Sequence, residues 1–187
     1  MRYRSSAILA VGVALSGAAY SQAFWSGSSY GDTLDQVRAK VAATIVTTSE
    51  NTARAAGYVE MASTAISLAG EPFNVFFYFT PGGLDRVILV AAALSTKEQA
   101  DATFDVLIKA MREKYKSVSE TEDLGRAVAE DKPFWMQWRS GDTDIWLVPQ
   151  HHEHPLMVAY ELSDDAKSRA AKARARKSDP KVEAKKL

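Results

Sequence analysis

The chain has 187 residues, 47% of them hydrophobic and 25% charged, with 23 Lys/Arg against 23 Asp/Glu and no cysteine. These proportions suit a globular protein and exclude a collagen, a wholly disordered chain and a multi-pass membrane protein. The missing cysteine excludes disulfides, thiolate zinc sites, a cysteine nucleophile and an amino-terminal lipid anchor, and the balanced charge makes no global case for nucleic acid.

The first residues read as an address. Arg2 and Arg4 form a positive start, residues 7–19 are apolar or small without a charge, and Ser21-Gln22-Ala23 places small residues at the −3 and −1 positions of a signal-peptidase site. The pattern is that of a secretory signal peptide over residues 1–23, cut after Ala23. Its apolar run is short of the ~20 residues a membrane-spanning helix needs. A cysteine-free exported chain fits the bacterial periplasm, where free thiols are oxidised, with release from the cell as the other destination.

Residues 24–162 are expected to form one α+β domain. Thr33 and Gln36 make a capping box, and Leu34, Val37, Val41 and Ile45 recur at helical spacing behind it, so residues 32–45 should be a helix with one apolar face. Residues 46–56 are polar and read as a loop or frayed edge. A short strand over 65–69 ends at Gly70-Glu71-Pro72. The strands 73–80 and 84–93 flank Pro81-Gly82-Gly83, a hairpin signal. Phe73, Val75, Phe77 and Phe79 should face one side and Phe76 and Tyr78 the other.

A second capping box, Ser95 with Glu98, opens the next helix, whose Ala100, Phe104, Leu107, Ile108, Met111 and Tyr115 share a face. Residues 118–132 are charged and loop-like, with a turn of helix at 124–129. Strands are expected at 134–139, 143–149 and 156–162. In the last, Leu156, Val158, Tyr160 and Leu162 alternate with Met157, Ala159 and Glu161. Short turns make the strands antiparallel. The expected architecture is two layers, an antiparallel sheet with helices on one face, in the order α-βββ-α-βββ-α.

Residues 163–187 form a basic tail. Nine Lys/Arg against four Asp/Glu give it +5, which leaves the body, residues 24–162, with 12 basic and 19 acidic residues, or −7. Ser163 is a good N-cap, Asp164 and Asp165 suit the helix dipole, and the Ala/Lys/Arg run that follows is strongly helix-forming until Pro180. The helix has no Leu, Phe or Trp with which to enter a membrane. Lys167, Arg169, Lys172, Arg174, Arg176 and Lys177 are candidates for a weak, salt-sensitive tether to an anionic envelope surface. The competing readings are a tail that folds back on the acidic body and a plain solubilising extension.

The segment Tyr30-Gly31-Asp32-Thr33-Leu34-Asp35-Gln36-Val37 resembles the helix opening of the SmpA/OmlA-type outer-membrane assembly lipoproteins. In outline, the repeated helix-plus-strands unit is similar to β-lactamase-inhibitor-protein-like modules, which bind an enzyme through a concave sheet and its loops. The chain lacks the lipid-bearing cysteine of the former and the disulfides of the latter. Both resemblances imply a binding module without a cofactor.

Three groups of residues can carry chemistry. Gly27-Ser28-Ser29-Tyr30-Gly31 matches G-x-S-x-G, but a nucleophile elbow needs a strand before Ser29, and only five residues separate it from the expected cleavage point. His151, His152 and His154, with Glu153, are bracketed by Pro149 and Pro155. Imidazoles bind zinc, copper or nickel, although one loop rarely supplies a whole site. Phe134, Trp135, Trp138 and Trp146 suit either a core or a binding hot spot. Alternation sends Phe134, Met136 and Trp138 to one face, expected to be core. Trp135, Gln137 and Arg139 go to the other and, with Trp146 on the neighbouring strand, form the expected partner-binding face.

The functional expectation is a soluble periplasmic, non-catalytic binding protein without a cofactor. It would act on another envelope or secreted protein as an inhibitor, an immunity-type protector or an assembly accessory. The alternative is a small metal-handling protein or hydrolase that uses the histidine cluster and Ser29.

Overall fold

A computed structural model describes residues 24–41, 43–92, 94, 96–115, 118–120, 135–150 and 155–177. Its elements in chain order are α1 (Leu34–Lys40), β1 (Val46–Thr47), α2 (Glu50–Ala55), β2 (Glu60–Leu68), β3 (Glu71–Thr80), β4 (Gly83–Ala91), α3 (Lys97–Lys114), β5 (Val118–Glu120), β6 (Met136–Ser140), β7 (Thr143–Val148), β8 (Met157–Leu162) and α4 (Asp164–Lys177). The α+β class and the antiparallel sheet are those expected. Eight strands lie in the order β1-β2-β3-β4-β8-β7-β6-β5. Each half is a meander of four neighbours, and the halves join where β4 pairs antiparallel with β8.

Local chemistry explains most boundaries. The Thr33–Gln36 box is complete: Thr33 Oγ1 accepts from the Gln36 N–H, and the Gln36 side chain accepts from the Thr33 N–H. At α3 the cap sits one residue later than expected, with Thr96 Oγ1 accepting from the Gln99 N–H. Ser95 and Thr96 are both competent caps, and the register of the buried face chooses between them. The polar stretch after α1 holds β1 and α2. The latter is capped by Ser49 and buries Ala53, so it has no apolar stripe for a sequence pattern to reveal. Strand β2 is longer than expected, because its small residues Ala62, Ser63, Thr64 and Ala65 pair in register with Phe77, Phe76, Val75 and Asn74 of β3. Residues 118–120, expected as loop, form the edge strand β5 on β6. The expected turn of helix at 124–129 lies outside the described residues.

One face of the sheet carries the core. Phe73, Val75 and Phe77 of β3, Val87 and Leu89 of β4, Met136 and Trp138 of β6, Ile145 and Leu147 of β7 and Val158 and Tyr160 of β8 form one buried cluster. Val37 of α1, Leu107 and Met111 of α3 and Ala166 of α4 belong to the same cluster. Helix α3 has to carry the chain from central β4 to the far edge at β5. Its 18 residues span about 27 Å, enough for the roughly 19 Å that four strand spacings require. Among the described residues no helix is long and apolar enough to cross a membrane.

A strap of residues before α1 closes the β3–β4 hairpin. Phe24 is buried in the core cluster, and Trp25 lies tilted against Phe77 with ring centroids 6.2 Å apart. The Gly31 N–H donates to the Leu84 carbonyl and the Leu84 N–H to the Asp32 carbonyl, each at 2.8 Å. Gly83 has φ +98°, and a Cβ on it would overlap the Gly31 carbonyl. Asp32 anchors the strap from inside, accepting from the Ser29 N–H at 2.6 Å and from Lys40 Nζ at 2.7 Å.

Two predictions follow from this packing. Gly83→Ala meets both a positive φ and the Gly31 backbone, and should cost about 2–5 kcal/mol in a denaturant titration. Burial raises the Tyr160 phenol well above its ordinary 10.0, and Tyr115 adds to the shift. Above pH 10.0 the unfolded chain releases that proton while the folded chain keeps it. Stability should therefore fall as pH rises past 10, by up to about 1.4 kcal/mol per pH unit for this residue. Tyr160→Phe should make the fall shallower in unfolding curves collected from about pH 8 to pH 11.

Candidate binding face

The sheet face opposite the core carries an open groove across β4, β8 and β7. Alternation along each strand decides which side chains reach it. With Val87 and Leu89 turned into the core, Arg86 and Ile88 of β4 point the other way. Likewise Met157, Ala159 and Glu161 of β8 and Trp146 and Val148 of β7 lie opposite their core-facing neighbours. Register brings them side by side: Ile88 pairs with Ala159, Ala159 with Trp146, and Met157 with Val148. Together with Trp135, these residues enclose a volume of about 230 Å³.

The groove is apolar along its length and charged at one end. Ile88, Val148, Met157 and Ala159 supply aliphatic surface. Trp135 and Trp146 lie tilted against each other with ring centroids 6.3 Å apart. Glu161 organises the charged end. Its Oε1 accepts from Trp146 Nε1 at 3.0 Å, and its Oε2 accepts from Arg86 Nη2 at 3.0 Å and from Lys167 Nζ at 3.2 Å. The indole is thus fixed by a hydrogen bond to a carboxylate that two cations hold in place. Beyond Arg86, the Tyr58 and Tyr78 rings pack with centroids 4.9 Å apart, and burial raises both phenols above their ordinary 10.0.

All four residues expected at a partner face lie on this side of the sheet. Trp135 is 45% exposed and lines the groove with Trp146. Gln137 pairs in register with Trp146 and is half-buried beside it. Arg139 lies one row further on, where its Nε and Nη2 donate to Asp144 at 2.7 and 3.0 Å. Met136 and Trp138 are fully buried in the core, and Phe134 lies outside the described residues. Arg86, Ile88 and Val148 were missed by sequence reasoning. Only the long-range pairing of β4 with β8 brings Arg86 and Ile88 here. The signal for Met157, Ala159 and Glu161 was their alternation against the apolar set of the last strand.

His151, His152 and His154 lie outside the described residues, and among the described residues no group of three His, Asp or Glu could hold a metal ion. Ser29 follows a single 3₁₀ turn, Trp25–Gly27, where a nucleophile elbow would need a strand. Lys167 and Arg169 are tied to the body, Lys167 to Glu161 and Arg169 to Asp142. Lys172 is exposed, and Arg174, Arg176 and Lys177 lie further along α4.

No family model matches the chain, and no curated protein or solved structure matches it either.

The two tryptophans of β6 and its entry should respond oppositely to truncation. Trp138→Ala should cost about 3–5 kcal/mol, as for a fully buried aromatic. Trp135→Ala should cost less than about 1 kcal/mol, since nearly half of its surface is already in water. Paired denaturant titrations measure the difference.

Proposed function

We propose that the chain is an exported, non-catalytic binding protein that holds a partner protein against the second face of its sheet. The observation that carries this reading is the Trp135–Trp146 pair over an apolar groove with an ordered charged end. Tryptophan and arginine are enriched where interfaces concentrate their binding energy, and such anchors seat in small preformed pockets. Size favours a protein partner. At about 230 Å³ the groove is below the roughly 300–1,000 Å³ of sites that enclose a whole small molecule. It suits one or two anchor side chains of a larger surface. The hydrogen bond from Trp146 Nε1 to Glu161 fixes one wall in advance, which lowers the ordering cost of binding. The periplasmic address is supported by the leader pattern of residues 1–23.

Immobilised protein, exported with its leader and recovered from the periplasm, tests the reading in envelope extract. Wild type should retain a partner in stoichiometric amount, and Trp135→Ala should lose it with an unchanged melting temperature. Retention of no partner, or of the same partner by both proteins, counts against the proposal.

A further inference from the structure

We infer that the partner segment seated in this groove presents a large apolar side chain next to a carboxylate. The inference rests on the docking reading above and concerns the chemistry of the occupant. Two cations, Arg86 and Lys167, converge on a single carboxylate at the charged end. That carboxylate is shared among three donors: Glu161 Oε1 accepts from Trp146, and Oε2 from both Arg86 and Lys167. Among the other acids nearby, Asp144 is engaged by Arg139, and Asp164 is fully exposed at 4.0 Å from Lys167 and screened by water.

Arg86 supplies the second observation. Its Nη2 is bonded to Glu161, but its Nε is buried and has no acceptor among the described residues. A guanidinium carries five N–H donors, and with Nε unmet the 36% of the Arg86 side chain left exposed is where an incoming acceptor can reach it. Arg86 lines the groove beside Ile88 and Glu161. An incoming carboxylate can accept from the guanidinium edge and from Lys167 while the apolar group beside it lies on Ile88, Ala159 and Met157 between the indoles. Charge-assisted hydrogen bonds of this kind give both strength and register. The acidic group then decides which apolar segments are accepted, because a basic neighbour would meet Arg86 and Lys167 with like charge and a neutral one would forgo the charge-assisted bonds.

A phage-displayed library of random linear peptides, selected on the wild-type protein and counter-selected on Trp135→Ala, is the test. Enriched peptides should carry Asp or Glu within one or two residues of a large apolar residue. In synthetic versions, changing that acid to its amide should weaken binding about tenfold, as should Lys167→Gln or raised salt to a smaller extent. Arg86→Gln should abolish the preference for acid over amide. Lys167→Gln, on the first turn of α4, supplies an independent variant if Arg86→Gln fails to fold. Trp135-dependent peptides without an acid, or equal binding of acid and amide, overturn the charge inference and leave the docking face standing. Absence of any Trp135-dependent enrichment overturns the docking face itself.

Discussion

The antiparallel pairing of β4 with β8 is the constraint on which the molecule depends. Each half of the chain is a meander whose strands are neighbours in sequence. Only the alignment of Arg86 through Val90 with Glu161 through Met157 makes them one sheet. The same pairing does two things at once. On the core face it sets Leu89 against Val158 and Val87 against Tyr160, which closes the cluster under α1 and α3. On the other face it sets Arg86 against Glu161 and Ile88 against Ala159, which builds the floor and the charged end of the groove. A slip of one residue would exchange these two sets, exposing apolar side chains and burying charged ones.

That dual role explains what could be read in the sequence. Fold class, the α1 cap, the central hairpin and the long helix α3 followed from short-range signals: Thr33 with Gln36, Pro-Gly-Gly between aromatic strands, and the spacing of Ala100, Leu107 and Met111. The division of residues 135–139 into a buried and a half-exposed set followed from alternation alone. What stayed hidden was of two kinds. Strand β5 and helix α2 carry too little apolar pattern to announce themselves, and β2 begins five residues before the expected strand because pairing with the aromatic β3 overrides weak propensity. Of the groove's lining, Trp135 and Trp146 were legible, and alternation signalled Met157, Ala159 and Glu161, whereas Arg86 lies 60 residues away from Trp146 in sequence, a separation no local window covers.

The basic tail also looks different once packed. Its opening turn is part of the body: the Ser163 N–H donates to the Asp142 carbonyl, and Ala166 is buried in the core cluster. Lys167 and Arg169 neutralise acids of an otherwise acidic domain. The positive charge of the first turn is thus directed inward, while Lys172 faces water.

The strap before α1 belongs to the folded body as fully as the strands it covers. Phe24 is buried, and its N–H donates to the Ser28 carbonyl at 2.6 Å. A chain shortened past Gly31 would lose both the Trp25–Phe77 contact and the Gly31–Leu84 hydrogen bonding, so the fold's amino-terminal boundary lies well ahead of its first helix.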